Sequence, residues 1–200
     1  MRASCTVALN EMTRSCIFLD RDGVINRDTG YVSEWKHFEF VSGAIGAMKD
    51  LSDAGYQLAI ITNQSGIARG YYSLEDYEIL TEQMLDALQT AGIKVLGVYY
   101  CPHHPAGSVQ KFSVQCNCRK PAPGMILNAA IDHDLELTSS IFVGDKLSDM
   151  QAAFAAGIGQ RYLVGASESI SETDRALITG QYVDLADWVR VYKTSGAWRP

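Results

Sequence analysis

The sequence predicts an α/β fold in which a parallel sheet is covered by helices on both faces. Three observations carry this expectation. Cys16-Ile17-Phe18-Leu19, Leu58-Ala59-Ile60-Ile61 and Ile141-Phe142-Val143 are short apolar runs of the kind that fills a strand buried on both faces. Each run ends abruptly in a polar loop: Asp20-Arg21-Asp22-Gly23, Thr62-Asn63-Gln64-Ser65-Gly66 and Gly144-Asp145-Lys146. Segments with helical spacing lie between them, and right-handed crossovers then bring every strand's C-terminal end to one edge of the sheet. Functional groups gather at that edge.

The elements follow in order. Residues 1–14 read as a flexible leader, because no continuous apolar stretch survives Asn10, Glu11 and Thr13. After the first two strands, Leu74, Tyr77, Leu80, Met84, Leu85 and Leu88 recur at helical spacing behind Ser73, a residue suited to the N-cap, with Asp76 three positions on. Gly92 ends that helix. A second helix begins after Pro123 and carries Met125, Ile126, Ala129 and Ala130; a third carries Met150, Ala153 and Phe154 before Gly157. Residues 15–192 thus form one domain, with 193–200 as a tail whose looseness begins after Trp188.

Bulk properties narrow the function. Lys and Arg total 17 against 23 for Asp and Glu, a formal charge of -6, which disfavours nucleic acid and anionic membrane as partners. No run approaches the roughly 18 apolar residues of a membrane span. Five cysteines make an odd number, and three of them crowd with histidines between Cys101 and Cys118, so metal binding in the cytoplasm is expected rather than disulfides.

The strand ends hold a phosphoryl-transfer inventory. Asp20 and Asp22 leave a buried strand one residue apart, so one carboxylate can attack phosphorus while the other manages the proton. Taken alone, Asp-Arg-Asp-Gly is equally a solvated turn. Asp145 follows another buried strand, and with Asp149 it can complete an oxygen-rich site for a hard cation, for which magnesium is the natural occupant. Asp149 reads equally as a charge at a helix N-terminus. Thr62, Asn63 and Lys120 offer a hydroxyl, an amide and a point charge to phosphoryl oxygens. No glycine-rich nucleotide loop is present.

Cys101-Pro102-His103 and Cys116-Asn117-Cys118 are two tight ligand pairs, and three sulfurs with one nitrogen fit a closed tetrahedral zinc site. Four protein ligands leave no open position, so the zinc is expected to pin the loop 101–118 and set Arg119 and Lys120 beside the active edge. His104 is a spare or supporting residue.

These residues resemble the haloacid-dehalogenase-superfamily phosphatases, which carry Asp-x-Asp-Gly, a Ser or Thr after the second strand, a Lys and a late acidic motif. Over residues 16–190, the segments 20–23, 62–70, 101–105, 116–121 and 144–146 are similar to the D-glycero-D-manno-heptose-1,7-bisphosphate 7-phosphatases. The resemblance implies a Rossmann-like domain with a minimal cap and a zinc-binding loop. It implies a magnesium-dependent phosphatase that removes the 7-phosphate of the heptose bisphosphate, in the making of nucleotide-activated heptose for lipopolysaccharide core or a related glycan. Asp20 would be the nucleophile and Asp22 the proton donor, with magnesium on Asp20, the Asp22 carbonyl and Asp145. Thr62 and Lys120 would steady the phosphoryl group. Substrate contacts would fall on Asp28, Thr29, Gly30, Tyr31, Thr62, Asn63, Gln64, Ser65, Arg119, Lys120 and Lys146, with Arg119 or Lys146 pairing with the second phosphate. Structural zinc would sit on Cys101, His103, Cys116 and Cys118.

A monomer acting on a small sugar phosphate is expected, without nucleic-acid or membrane partners. Histidinol-phosphate phosphatase is the nearest rival, because that relative shares the loops and a zinc-bearing insertion. Polynucleotide 3'-phosphatases resemble the Thr-Asn-Gln segment, against which the acidic balance weighs. A non-enzymatic zinc-stabilised binding module is a third reading, although a pure binder needs no clustered Asp20, Asp22 and Asp145.

Overall fold

The computed structural model describes residues 14–165, 170–196 and 198. Residues 1–13 of the expected leader and most of the end of the tail lie outside these. Six strands, β1 (Cys16–Leu19), β2 (Gln57–Asn63), β3 (Val98–Cys101), β4 (Ile141–Gly144), β5 (Gln160–Val164) and β6 (Gly180–Tyr182), form one sheet. Their order is β3-β2-β1-β4-β5-β6, and every pairing is parallel. Chain direction across the sheet reverses between β1 and β4, and a crevice opens at such a switch point beyond the strands' carboxyl ends. Leu19 pairs with Ile60 and Val143, so Asp20, Thr62 and Asp145 emerge side by side.

Alternation along the strands divides the core into two layers. Ile17, Leu19, Leu58, Ile60, Ile141 and Val143 face α1 (Ala44–Asp53), α3 (Leu74–Thr90) and α7 (Leu185–Thr194). Cys16, Phe18, Ala59, Ile61 and Phe142 face α4 (Gly124–His133) and α5 (Leu147–Ala155). Two short helices, α2 (Ser65–Arg69) and α6 (Glu172–Arg175), complete the set.

The expected cap of α3 is present: Ser73 Oγ accepts from the Asp76 N–H at 3.0 Å, and the Asp76 carboxylate accepts from the Ser73 N–H at 2.8 Å. Such a box contributes about 1 kcal/mol. Met125, Ile126 and Ala129 are buried as their spacing requires, whereas Phe154 is exposed, with the Arg161 guanidinium over its ring. The helix α7 carries the described chain past Trp188. Leu185, Trp188, Val189 and Tyr192 recur at helical spacing, all are buried, and α7 runs on to Thr194. Asp184 caps it by accepting from the Asp187 N–H at 2.8 Å.

Between Gly23 and Ser42 the chain forms no separate domain. Trp35, Phe38 and Phe40 pack ring on ring, with centroids 5.1–6.3 Å apart, and Asn26 bridges to Phe40. Among the described residues, no helix is long and apolar enough to cross a membrane.

Candidate active site

The strand ends close on a cavity of about 570 Å³ lined by Asp20, Asp22, Thr62, Gln64, Arg119 and Lys120, with Asp28, Gly30, Tyr31, Asn63, Ser65 and Lys146 around its rim. Of the sequence-derived contacts, Thr29 alone lies apart, in a neighbouring depression with Gly23, Arg27 and Asp145.

Asp20 is the first residue past β1, and its N–H still donates to Val143 O at 3.0 Å, which fixes the carboxylate at the switch point. Its Oδ1 accepts from the Arg21 N–H at 2.7 Å and pairs with Lys120 Nζ at 2.9 Å. Burial pushes the Asp20 pKa well above the usual carboxylate range; Lys120 opposes this, while Asp149, Asp145 and Asp22 reinforce it. The Lys120 ammonium reaches three acceptors: Asp20, Asp149 at 2.8 Å and Ile61 O at 2.8 Å. Burial alone would lower its pKa, but the charges of Asp149 and Asp20 outweigh that and the net shift is upward.

Asn63 braces this lysine. Its Nδ2 donates to Lys120 O and its Oδ1 accepts from the Lys120 N–H, both at 3.1 Å. The amide that sequence assigns to phosphoryl oxygens therefore spends its hydrogen bonds on the loop that presents Lys120.

Asp145 has one carboxylate oxygen buried without a hydrogen-bond partner. Burial, reinforced by Asp149, pushes its pKa up to about 6. Gly23 explains the end of the Asp-x-Asp-Gly motif. At φ +87° a side chain is strained, and a Cβ there would lie 2.2 Å from Asp145 Oδ2. Oxygen atoms of Asp20, Asp145 and Asp149 lie within 4.8 Å of one another. An all-carboxylate donor set with an orphaned buried oxygen fits a hard divalent cation such as magnesium. Asp149 sits at the start of α5, where its Oδ2 accepts from the Lys146 N–H at 3.0 Å, while its Oδ1 faces Lys120 at 2.8 Å.

The second ligand cluster lies at the end of β3. The Sγ atoms of Cys101, Cys116 and Cys118 are 3.1–3.5 Å apart, and His103 Nδ1 is 3.3 Å from Cys118 and 3.7 Å from Cys101. Tetrahedral ligands at about 2.3 Å from zinc would be separated by roughly 3.5–3.8 Å; most of these separations are a few tenths of an ångström tighter, and the donor set of three sulfurs and one nitrogen fits a closed zinc site. His104 turns away and meets Arg69 Nη2 at 3.0 Å. The loop docks on α2, where Ala68 O accepts from the Ser108 and Val109 N–H groups at 2.8 and 2.9 Å. Gly107 permits this approach, because a Cβ there would sit 2.5 Å from Ala68 O.

A family model described as polynucleotide kinase 3 phosphatase matches residues 16–178. The D-glycero-beta-D-manno-heptose-1,7-bisphosphate 7-phosphatase of Yersinia pestis is 46% identical over 180 residues, 89% of this chain and 92% of its own. This chain belongs to that phosphatase family. A Photorhabdus laumondii relative named for the alpha anomer is 45% identical over 170 residues, covering 84% of this chain and 93% of its own. The crystal structure of the D,D-heptose 1,7-bisphosphate phosphatase from B. bronchiseptica, complexed with magnesium and phosphate, superposes with a TM-score of 0.76 at 32% identity, over 89% of this chain and 97% of that one.

Two residues of this heptose-bisphosphate phosphatase-family site escape a sequence reading. Arg21, between the two aspartates, is 1% exposed and binds Asp22, and Tyr72 donates to Gln64 Oε1 at 2.6 Å. Neither carries a sequence signal: an arginine in a polar turn reads as solvated, and Tyr72 reads as one aromatic among several before a helix.

Proposed function

We propose that this chain hydrolyses the 7-phosphate of D-glycero-D-manno-heptose 1,7-bisphosphate through an aspartyl-phosphate on Asp20. The observation that carries the reading is the buried Asp20 and Lys120 pair lining one cavity with Asp22 and Asp149, with an Asp145 oxygen within 4.8 Å of those of Asp20 and Asp149, on a chain 46% identical to a heptose-bisphosphate phosphatase over nearly its whole length. Asp20 attacks phosphorus with the oxygen not engaged by Lys120. The bond from phosphorus to the sugar oxygen breaks, and Asp22 delivers a proton to that oxygen. Asp22 then takes a proton from water, whose oxygen attacks phosphorus and releases Asp20 and inorganic phosphate. Magnesium, held by Asp20, Asp145 and the Asp22 carbonyl, would offset the repulsion between carboxylate and phosphate.

Thr62 is placed to donate to an equatorial oxygen, because Gln64 Nε2 already donates to its Oγ1 at 2.8 Å and leaves the hydroxyl proton free. Lys120 acts chiefly through its charge, since all three of its acceptors are protein oxygens. A second phosphate finds Arg119, whose Nη1 is buried without a partner, and Lys146, 2.9 Å from Asp28. Three clustered thiols suit a reducing compartment, in keeping with a cytoplasmic enzyme.

Assays of sugar mono- and bisphosphates beside histidinol phosphate test the substrate. Preferential release of one phosphate from the heptose bisphosphate is expected. Rapid turnover of histidinol phosphate with an inert heptose bisphosphate would reverse the assignment.

Zinc on Cys101, His103, Cys116 and Cys118 is proposed to hold the loop that presents Arg119. Cys116→Ser should then carry less than one zinc per chain by elemental analysis. Its thermal midpoint should fall by roughly 5–10 °C, corresponding to about 2–3 kcal/mol, and KM should rise more than kcat falls. A variant with unchanged midpoint and KM would remove the structural role.

A further inference from the structure

The middle residue of Asp20-Arg21-Asp22 has no role in the reaction as described, yet its surroundings are costly to build. The Arg21 side chain is 1% exposed, and a buried guanidinium costs several kcal/mol unless it is paired and hydrogen-bonded. The turn does not need it. Backbone bonds close that turn, with the Gly23 N–H donating to Asn26 O at 2.7 Å and the Ile25 N–H to Arg21 O at 2.9 Å. What the side chain does is grip Asp22: Nη2 donates to Oδ1 at 2.9 Å and to Oδ2 at 3.0 Å, and Nε reaches Oδ1 at 3.3 Å.

Three further groups fix the guanidinium. Its carbon lies 5.9 Å from the centroid of the Tyr77 ring, and Nη2 also approaches Gln64 Oε1 at 3.3 Å and Val32 O at 3.4 Å. Gln64 completes a closed circuit by donating from Nε2 to Asp22 Oδ2 at 2.9 Å, and Asn26 Nδ2 donates to Oδ1 at 3.0 Å. The amide can sit only one way round. Turned over, its oxygen would face the Asp22 carboxylate and its NH2 would face the Arg21 guanidinium.

We propose that Arg21, with Gln64, is a positioning residue that locks the Asp22 carboxylate in the single orientation from which it serves both the departing sugar oxygen and the attacking water. The inference rests on the reading of Asp22 as acid and base. A carboxylate that must act twice, on two different oxygens at one locus, tolerates little rotation, and a misplacement of about 1 Å can cost on the order of 10²-fold. Arginine suits this role because its planar fork engages both carboxylate oxygens while its charge lies over the Tyr77 ring, whereas lysine keeps the charge without the fork.

A double-mutant cycle separates positioning from general support of the fold. Arg21→Lys should lower kcat by roughly 10- to 100-fold with KM within about 3-fold of wild type. Asp22→Asn should itself be slowed by about 10²- to 10⁴-fold. Added to that variant, Arg21→Lys should cost no more than about 2-fold further, because there is no longer a carboxylate to orient. Full additivity of the two losses, or wild-type kcat in a folded Arg21→Lys protein, overturns the proposal. If Arg21→Lys does not fold, Arg21→Gln in the same cycle decides on the same two outcomes. Wild-type turnover by Asp22→Asn would instead remove the acid-base reading of Asp22 on which the inference stands.

Discussion

Asp20→Asn is expected to abolish phosphate release, with kcat down by at least ~10⁴-fold, while the protein folds as well as wild type or better. The first part follows from chemistry: an amide is too weak a nucleophile to form the acyl phosphate, and the neighbouring carboxylates are otherwise engaged. Asp145 and Asp149 are beside it, but the Lys146 N–H and Lys120 hold Asp149, and Asp145 is the carboxylate proposed to hold the cation with Asp20. The second part follows from electrostatics. A carboxylate whose folded-state pKa lies above its unfolded value binds its proton more tightly when folded, so in the charged form at neutral pH it subtracts from stability. The neutral amide removes that cost while its oxygen can still accept from Lys120 and the Arg21 N–H. Phosphate release, with thermal midpoints measured without added magnesium, checks both parts. Measurable turnover above a hundredth of wild type, or a phosphoryl group trapped on another residue, would refute the assignment of Asp20.

The catalytic edge of this fold was legible because the three central strands are buried on both faces and so read as uninterrupted apolar runs that stop at polar loops. The outer strands lack that contrast. In β3, Val98, Tyr99 and Tyr100 are only half buried; β5 opens on Gln160 and Arg161; β6 has three residues, Gly180, Gln181 and Tyr182. The helix α7 was hidden by its many polar residues, although the spacing of its buried side chains is regular. At the site, residue types announced themselves where the chemistry is intrinsic to the side chain: Asp20, Asp145, and the sulfur and imidazole ligands near Cys101. What sequence could not show is which groups those side chains face. Asn63 turns to Lys120 rather than only to the cavity, and Arg21 is drawn inward by Val32, Gln64 and Tyr77 from segments 11 to 56 positions away in the chain. Such pairings are made by the crossovers of the sheet, and they leave no local periodicity or motif.

The same crossovers set up the largest stability effect expected of any single substitution at the site. Among the described residues, Lys120 is the one cation between Asp20 and Asp149, and all three side chains are buried. Lys120→Met preserves much of the volume and leaves two carboxylates facing each other without a counter-charge, a defect of about 3–5 kcal/mol by comparison with other broken buried ion pairs. For a chain of this size that is roughly 6–20 °C in thermal midpoint. Turnover should fall as well, because the charge proposed to stabilise the transferring phosphoryl group is gone. The cause can be isolated by removing one of the opposed charges. In Asp20→Asn/Lys120→Met, only Asp149 remains uncompensated, so part of the lost stability should return, with a coupling of about 1–3 kcal/mol between the two positions. Strictly additive midpoints in the single and double variants would show that Lys120 stabilises the fold through packing, including its 5.7 Å approach to the Phe142 ring centroid, and not by holding two buried carboxylates together.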